Sequence, residues 1–467
     1  MKFKTLAAFA AVSFWLILFA FSCNRDDISF ENPSQLLRFS ADTVFCDTVY
    51  NQIRSETYAV KVYNDEDKDV MIPRISLAGG STSQYRINVD GKSGTEFTNV
   101  PLRKKDSLYI FVEIAPVANN IPEAIAEDQI LFETPAGNQH VTLFSVVQDA
   151  EFFIESDTNP NIINTSTWTN DKVKIIFGNL TLAEGQTLTI DKGTKICFYK
   201  NSGMKISKNA TLEVDGDLGS EVVFRGVTVD KFDPGNDEVL VPLNWNSISF
   251  DENSTLIMNY AKIYGGTTGL EFHKINEANI TNTIIHTFQD YGIYSVNSKI
   301  TAVNLVTNSC GQAALGIFGG GEIDLAHCTI ANYWYLKFGL PEYGIYATNE
   351  WTNENGDVET YPLTALNIYN SIVYGTAENA IEFSESLGNF SPTIQNCLLK
   401  YTANTATYDI GNSITDDPLF NNFFTKLMDL RVADDSPAKE GGEYDSAFSK
   451  DILGITRNNP PTIGAYE

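Results

Sequence analysis

Basic side chains are scarce in this sequence. Its 467 residues include 32 lysines and arginines against 59 aspartates and glutamates, which gives a formal net charge of −27. Nucleic acids are bound mainly through clustered Lys and Arg side chains, so we expect no nucleic-acid partner. Charged residues make up only 19% of the chain and hydrophobic residues 43%, a composition that excludes disorder as the overall class.

Cysteine is also sparse, with six residues in the chain. Cys23 directly follows a long apolar segment. The other five are an odd number at wide spacing, which predicts neither a disulfide framework nor a CxxC metal site. We expect them to be small buried side chains. They are Cys46, Cys197, Cys310, Cys328 and Cys397.

Only one long apolar run is present, at the N-terminus. Residues 6–21 follow Lys2 and Lys4. A run of about 16 residues is shorter than the roughly 20 that a membrane-spanning helix needs. The pattern of basic residues followed by a short apolar run is typical of an export signal.

The residues around Cys23 resemble a bacterial lipoprotein signal. Ala20-Phe21-Ser22-Cys23 is similar to a lipobox, although leucine is usual at its first position, and the following Asn-Arg-Asp-Asp is similar to the surface-export tag of Bacteroidota lipoproteins. The resemblance implies a signal peptide over 1–22, lipidation of Cys23, and an acidic tether over 23–33. The protein would then be anchored by lipid to the cell outer membrane, facing the exterior. An ordinary cleaved signal or an uncleaved anchor is the alternative.

Residues 34–150 have the pattern of short β-strands. Tyr58–Tyr63 and Ser107–Ile114 alternate apolar and polar residues, and turn residues separate such runs. No stretch has the helical period, so this region predicts an immunoglobulin-like sandwich. Residues 39–49, 77–80 and 85–91 also resemble the N-terminal module of a family of Bacteroidota surface lipoproteins.

Residues 151–427 contain a repeat of about 22 residues. An Asn or His followed by a short apolar run recurs at spacings of 23, 22, 23, 43 and 26. This period suits one coil of a β-solenoid with three strands per coil. The spacing of 43 is either two coils or one coil with a loop inserted near 351–361. The repeated residues are Asn259, Asn282, Asn304, His327, Asn370 and Asn396.

The repeated Asn side chains are expected to be structural. Stacked coils place the same turn about 4.8 Å above the previous one, so amide side chains can hydrogen-bond along the column and satisfy turn backbone. His327 occurs in the same register. We therefore expect His327 to be a member of this ladder and not a ligand.

Further segments resemble bacterial right-handed parallel β-helices. Residues 179–185, 188–196 and 210–218 are similar to the first coils of such proteins, and 461–467 to their closing segment. Together with the sandwich, they resemble Bacteroidota surface lipoproteins with an N-terminal Ig-like domain and a pectin-lyase-like repeat domain. The resemblance implies an all-β fold: an Ig-like β-sandwich over 34–150, a right-handed parallel β-helix over 151–427, and a C-terminal closing segment over 428–467.

Enzymes that share this fold make a catalytic function attractive, but the residues argue against it. A pectate-lyase mechanism requires calcium-binding carboxylates and an Arg or Lys base, and Arg225 is the only arginine between 151 and 427. Whether the protein is an enzyme stays open, and the sequence favours a non-catalytic protein. If it is an enzyme, we expect a polysaccharide lyase or a glycoside hydrolase.

The repeat also predicts a column of exposed side chains. In successive coils a Gly or Ala opens a strand, and alternation exposes the third residue of each strand. Sugar rings stack on aromatic side chains and hydrogen-bond to carboxylates, so we expect a ligand site here. The alternative is that the rings are covered by a loop such as 349–362, or merely suit a β-surface. The column consists of Glu271, Tyr294, Phe318, Tyr346 and Glu382.

A catalytic pair would need closer carboxylates. Glu271 and Glu382 are at least four coils, roughly 19 Å, apart, whereas glycosidase pairs are separated by about 5–9.5 Å. Glu342, Glu378 and Glu382 are the best candidates for an acid–base pair or for calcium, the one cofactor we consider. Solvated turn residues are the alternative.

The leading hypothesis is therefore a surface lipoprotein that binds a polysaccharide or another extracellular partner without catalysis. The first alternative is a lyase or hydrolase of the β-helix class. The second is a purely structural or adhesive surface protein.

Overall fold

A computed structural model of the chain describes residues 29–46, 48–117, 123–227, 232–233, 236–242, 245–335, 342–388, 390–402 and 408–467. The predicted signal peptide and Cys23 lie outside these residues. The chain is all-β, with 55% of the described residues in strands. It divides into two compact units, Met1–Asp149 and Ala150–Glu467. In the described part of the chain, no helix has the length and apolar character needed to cross a membrane.

The first unit consists of two sheets around one apolar core. Its strands alternate buried and accessible residues, and the buried ones meet between the sheets, for example Val60, Ile75 and Phe132. One sheet has the order Arg38–Phe39, Tyr58–Tyr63, Ser107–Ile114, Tyr85–Val89 and Lys92–Gly94. The other has the order Thr43–Phe45, Gly137–Gln148, Glu123–Thr134, Val70–Leu77 and Glu96–Leu102, and Val49–Tyr50 also pairs with Gly137–Gln148.

The second unit is a coil of parallel strands that form three ladders, here called faces 1, 2 and 3. Face 1 contains Ala150–Ile154, Val173–Phe177, Lys195–Phe198, Val222–Gly226, Ala261–Tyr264, Ile284–Phe288, Val306–Cys310, Thr329–Asn332, Ile372–Gly375 and Leu398–Leu399. Face 2 contains Ile162–Ile163, Asn179–Leu182, Gly203–Ile206, Ile248–Phe250, Thr268–His273, Tyr343–Ala347 and Ile381–Phe383. Face 3 contains Ser166–Trp168, Thr187–Asp191, Thr211–Asp215, Thr255–Asn259, Glu277–Thr281, Leu363–Tyr369 and Thr393–Gln395.

Two long strands join faces 2 and 3. The first parts of Tyr291–Val303 and Ala313–Ala326 belong to face 2 and their second parts to face 3. All three ladders are parallel, and the arrangement is compatible with a β-helix-like solenoid. Antiparallel hairpins outside the ladders are Phe232–Asp233 with Asn236–Leu240, Glu350–Thr352 with Val358–Thr360, and Phe420–Asn422 with Asp429–Val432. Short 3₁₀ helices are Gly80–Thr82, Glu385–Leu387, Thr425–Leu427 and Ser446–Phe448.

The register decides between the two interpretations of the 43-residue spacing. On face 3, Ile323 pairs directly with Leu366, and on face 1, Thr329 pairs directly with Ile372. The spacing is therefore one coil with an insertion, and the hairpin of Glu350–Thr352 and Val358–Thr360 belongs to that insertion. We call it the wall hairpin.

The interior of the coil is filled by large apolar side chains. Trp245 is fully buried, and its ring stacks on Phe198 at 4.4 Å between centroids and meets Phe288 edge-on at 5.9 Å. Its indole N–H donates to the carbonyl of Tyr264 at 3.1 Å, so the one polar atom of the ring is satisfied. Buried side chains fix the inward residues of each strand, and the residues between them face outward. The five cysteines of the described chain are all buried, as the sequence predicts, and none of them forms a disulfide.

The predicted amide ladder is present. Asn304 donates to Asn282 at 2.9 Å, Asn282 donates to Asn259 at 2.9 Å, and Asn370 lies 3.2 Å from the Nε2 atom of His327. The register differs at one end, because Asn259 pairs with the residue before Asn282 and only its side chain joins the ladder. From Asn282 onward the ladder residues have a left-handed backbone, which Asn tolerates better than most residues.

His327 makes the unit sensitive to acid. Burial, reinforced by the nearby Arg457 charge, lowers the pKa of His327 to about 3, whereas an unfolded His titrates near 6.5. The neutral ring therefore contributes its full stability above pH 6.5, and that contribution is lost as the pH falls from 6.5 toward 3.

We expect His327→Asn to remove this loss, since Asn also suits the left-handed turn. Between pH 7 and pH 5, the wild type should lose about 2 kcal/mol of unfolding free energy that the variant keeps. Urea unfolding at both pH values measures this, and a variant at the exposed His140 controls for the removal of one histidine. Equal pH dependence in wild type and His327→Asn would contradict the assignment.

The C-terminal segment lies along the outside of face 1. Leu430, Ile452 and Ala465 pack against Val306 and Ala331 of that face. Strands Val306–Cys310 and Thr329–Asn332 are consequently buried on both sides. The candidate site lies on the outer side of face 2.

Candidate functional site

The candidate site is a cleft on the outer side of face 2, bordered by the wall hairpin. Three adjoining cavities form it, with volumes of about 860, 330 and 340 Å³. Strands of face 2 contribute Tyr294 and Tyr346, and the wall hairpin contributes Trp351, which lines all three cavities. The cleft exists because one coil carries an insertion that stands beside the outward side chains of its neighbours.

Aromatic rings form a continuous row along the middle of the cleft. The rings of Tyr294 and Phe318 are stacked at 4.7 Å between centroids, and those of Phe318 and Tyr346 are tilted at 5.6 Å. All three side chains are half-buried and line the 340 Å³ cavity together with residues of the wall hairpin. The inserted segment therefore borders the row and leaves part of each ring accessible.

The register of Phe318 differs from the sequence prediction. Glu271 pairs with Tyr294, but Tyr294 pairs with Gly316, which in turn pairs with Tyr346. Phe318 lies two residues further along its strand, opposite Val296. The predicted position of Phe318 in the ladder was therefore wrong. Its ring nevertheless lies in the row, between the rings of Tyr294 and Tyr346.

Gly316 explains how this is achieved. A Cβ atom at this position would lie 2.9 Å from the ring of Phe318 and 2.9 Å from the ring of Tyr291. The absence of a side chain leaves room in the ladder for rings from neighbouring positions. Tyr291 meets Phe318 edge-on at 5.7 Å, and its hydroxyl donates to Gln312 at 2.6 Å. The aromatic row thus includes rings from more than one position of the ladder.

Glu271 ends the row in a hydrogen-bonded cluster. Its carboxylate lies 2.8 Å from Nε2 of His273 and accepts from the hydroxyl of Ser247 at 2.9 Å. The bond to His273 holds the pKa of Glu271 below its usual range, against the opposing effect of burial. Glu271 is therefore an ionised hydrogen-bond acceptor at the end of the aromatic row.

The order of these three groups matters for chemistry. In a serine hydrolase the histidine lies between the serine and the carboxylate, so that it can take the serine proton. Here the carboxylate lies between Ser247 and His273. The cluster suits hydrogen bonding to a ligand, and it does not provide an activated nucleophile.

The wall hairpin is fixed to the coil through Lys274. The Lys274 ammonium forms an ion pair with Glu359 at 3.0 Å and lies 5.4 Å from the ring centroid of Trp351 and 4.8 Å from that of Tyr361. Hydrogen bonds from Tyr361, Asn353 and Lys274 lower the pKa of Glu359 to about 2. These contacts place Trp351 with its ring 6.0 Å from that of His273.

The other end of the row is Glu382, which pairs with Tyr346. Burial raises the pKa of Glu382 above its usual range. Four register steps separate Glu382 from Glu271, as the sequence predicts. These two carboxylates cannot act together on one glycosidic bond.

The remaining catalytic candidates lie at the turns that precede these strands. Glu342 accepts a hydrogen bond from Thr376 at 2.6 Å, and Glu378 is exposed. In the described parts of the chain, no group of three or more Asp, Glu, His or Cys residues could hold a metal ion. Glu342, Glu378 and Glu382 thus do not form such a group.

Sequence reasoning missed His273, Ser247 and Trp351 as parts of the site. His273 has a usable signal, since it is two residues after Glu271 on the same strand and must therefore face the same side. Ser247 comes from the preceding coil, after a segment whose length obscures the repeat. The position of Trp351 depends on how its insertion folds back, which no period in the sequence specifies.

No family model matches the chain, and no curated protein matches it. Some solved structures match weakly. PapD-like domain 7 of human CEP192 has 12% identity and a TM-score of 0.18, with 28% of this chain and 96% of that chain covered. The periplasmic chaperone SfaE has 13% identity and a TM-score of 0.18, covering 27% and 64%. A protein of unknown function from Porphyromonas gingivalis has 11% identity and a TM-score of 0.17, covering 31% and 59%. This chain thus spans less than two thirds of the last two, and at these TM-scores none of the three assigns a fold or a function.

Proposed function

We propose that the second unit binds a glycan chain in the cleft on face 2 without catalysing a reaction. The observation that carries the proposal is the row of partly accessible rings of Tyr294, Phe318 and Tyr346, which are in contact from coil to coil. An open groove lined by rings and a few placed polar groups is suited to an extended ligand with alternating apolar and hydroxyl surfaces.

The polar groups of the cleft support this proposal. Glu271 is held ionised beside the rings, and carboxylates accept hydrogen bonds from ligand hydroxyl groups. Trp351 adds a further aromatic surface to the same cavity. Rings supply contact area at a small cost in side-chain entropy, because only two torsions per side chain must be fixed.

The same geometry favours binding over hydrolysis. Glu271 and Glu382 are separated by four strand spacings, roughly 19 Å. The candidate acids at the turns do not converge on the aromatic row, and the Ser247–Glu271–His273 cluster has the wrong order for nucleophilic catalysis.

For the architecture, we propose that the first unit is an Ig-like sandwich and the second a right-handed parallel β-helix. Two sheets around one core support the first assignment, and three parallel ladders with coils of about 22 residues support the second. The β-helix would present the cleft, and the sandwich would serve as a spacer.

For the location, we propose a lipid-anchored protein of the cell outer membrane that faces the exterior. This part of the proposal rests on the sequence of residues 1–27 alone. Incorporation of a labelled fatty acid in cells tests it, and labelling that persists in Cys23→Ser would contradict it.

The glycan-binding proposal is tested with a double variant, Tyr294→Ala/Tyr346→Ala. A glycan array first identifies oligosaccharides that bind the wild type, and titration calorimetry then measures their affinity. Loss of two stacking rings should weaken binding roughly 10- to 100-fold. The matched control is Tyr109→Ala/Phe111→Ala, which removes two exposed, mutually stacked rings from the first unit. If Tyr294→Ala/Tyr346→Ala binds with the affinity of the wild type, the aromatic row is not the binding surface.

A further inference from the structure

The cleft that contains the aromatic row is strongly acidic. Among the described residues that line its three cavities, eight are Asp or Glu and three are Lys. The whole chain has fewer than two acidic residues for each basic one. The ratio of acidic to basic residues is therefore higher in the cleft than in the chain as a whole. The lining of the cleft therefore contains five more carboxylates than lysines.

The three lysines of the cleft are each held by a carboxylate. Lys205 pairs with Asp251 at 3.0 Å, and Lys208 pairs with Glu252 at 2.8 Å. Lys274 is committed to Glu359 and to the rings of the wall hairpin. The charge of each lysine is therefore balanced by a neighbouring carboxylate, and the net charge that a uronate or sulfate group would meet in the cleft is negative.

Apart from Glu271, which lies against His273, the three carboxylates that line the two cavities containing Tyr294 have no such partner among the described residues. In the described part of the chain, no Lys or Arg forms an ion pair with Asp290, Glu350 or Glu354. Glu350 and Glu354 are exposed on the wall hairpin, and Asp290 accepts a hydrogen bond from Gln312 at 3.2 Å. They lie along the two cavities that also contain Tyr294.

Unpaired charges at the border of a groove act on a ligand over several ångströms. Two unit charges about 6 Å apart interact by roughly 0.7 kcal/mol in water and by more beside protein, so two such carboxylates change affinity by about tenfold. The sign is repulsive for uronates and sulfated sugars, and attractive for protonated amines.

Resting on the proposed glycan binding, we infer that the cleft takes amino sugars: a hexose chain whose protonated amines pair with Asp290, Glu350 and Glu354 while its rings stack on Tyr294, Phe318 and Tyr346. Polyuronates are excluded as ligands, although the fold that we propose is shared with enzymes that act on them. Neutral chains lack these ion pairs and bind by stacking and by hydrogen bonds from their hydroxyl groups to Glu271.

The test compares three oligosaccharide sets of equal length by calorimetry on the full chain: glucosamine oligomers, their N-acetylated counterparts, and galacturonate oligomers. We expect the amine-bearing set to bind about tenfold more tightly than the acetylated set at low salt, with the difference shrinking at 0.5 M salt, and the galacturonate set not to bind. Glu350→Gln/Glu354→Gln should reduce the preference for amines about fivefold to tenfold, because two of the three carboxylates that would pair with the amines lose their charge.

The matched control is Asp434→Asn/Asp435→Asn, which removes the same two charges from exposed positions outside the cleft and should leave the preference intact. Equal affinity for aminated and acetylated chains, or binding of galacturonate, would overturn the inference and leave glycan binding standing. Failure of every oligosaccharide set and of the glycan array would reject the glycan-binding proposal together with the inference.

Discussion

Replacing Arg457 with alanine is expected to destabilise the second unit by about 3–5 kcal/mol, the typical cost of breaking a buried ion pair from one side. The Arg457 side chain is 1% exposed and lies 3.7 Å from the carboxylate of Glu467, which is 5% exposed. Its guanidinium donates to Asn304 at 2.9 Å and to the carbonyl of Gly464 at 3.1 Å. Truncation would leave these acceptors buried and unpaired, so the C-terminal segment should detach from face 1.

Urea unfolding and limited proteolysis measure these two effects. In Arg457→Ala we expect a lower unfolding midpoint and cleavage within residues 428–467 under conditions where the wild type resists. The control is Arg431→Ala in the same segment, where the ion pair with Asp429 is exposed and its loss should cost at most about 1 kcal/mol. Similar destabilisation by both variants would show that Arg457 does not anchor the segment.

Gly320→Ala is expected to displace the wall hairpin. Gly320 has a left-handed backbone with φ of 70°, and a Cβ atom there would lie 2.2 Å from the carbonyl oxygen of Pro362, at the end of the insertion. The carbonyl of Pro362 belongs to the backbone and cannot move aside as the end of a flexible side chain could. The clash therefore adds to the strain of the left-handed backbone at Gly320. We expect a loss of roughly 3–4 kcal/mol and weakened glycan binding, because Trp351 would no longer border the cleft.

The matched control is Gly356→Ala, in the turn of the same hairpin. Its φ of 85° is also left-handed, but a Cβ atom there meets nothing within 4 Å. This variant should lose only about 1 kcal/mol, the cost of the backbone conformation alone. Thermal unfolding of both variants, and titration with the oligosaccharide that binds best on the array, measure these losses. The difference between the two variants gives the effect of the clash with Pro362, apart from the cost of the left-handed backbone. Equal effects at the two positions would contradict the close approach of Pro362.

Several strands could be predicted from local pattern alone. Tyr58–Tyr63 and Ser107–Ile114 occur with the predicted bounds, because one side of each faces the core and strict alternation results. Glu123–Thr134 was not predicted. Its first half reads Glu-Ala-Ile-Ala-Glu-Asp and includes the exposed Ile125, so pairing with Gly137–Gln148 and not side-chain burial sets its length.

The candidate site was predicted only in part, for a reason that Phe318 illustrates. Gly-Ile-Phe at 316–318 has the same form as Gly-Ile-Tyr at 292–294, yet the two triplets are offset by two residues in the ladder. Local similarity cannot fix register where a shift by two keeps the same faces inward and outward. The rings meet because Gly316 leaves space, which depends on side chains from two other coils.

By itself, the sequence determined the all-β class, the repeat of about 22 residues, the structural role of the Asn ladder and the outward position of the aromatic residues. These properties follow from periodicity, which each strand carries locally. Only the tertiary structure decided that the 43-residue spacing is one coil with an insertion, that this insertion borders the rings, and that Ser247, Glu271 and His273 converge. Such contacts join residues that are distant in the chain, and they depend on how coils stack and insertions fold back, which no local pattern encodes.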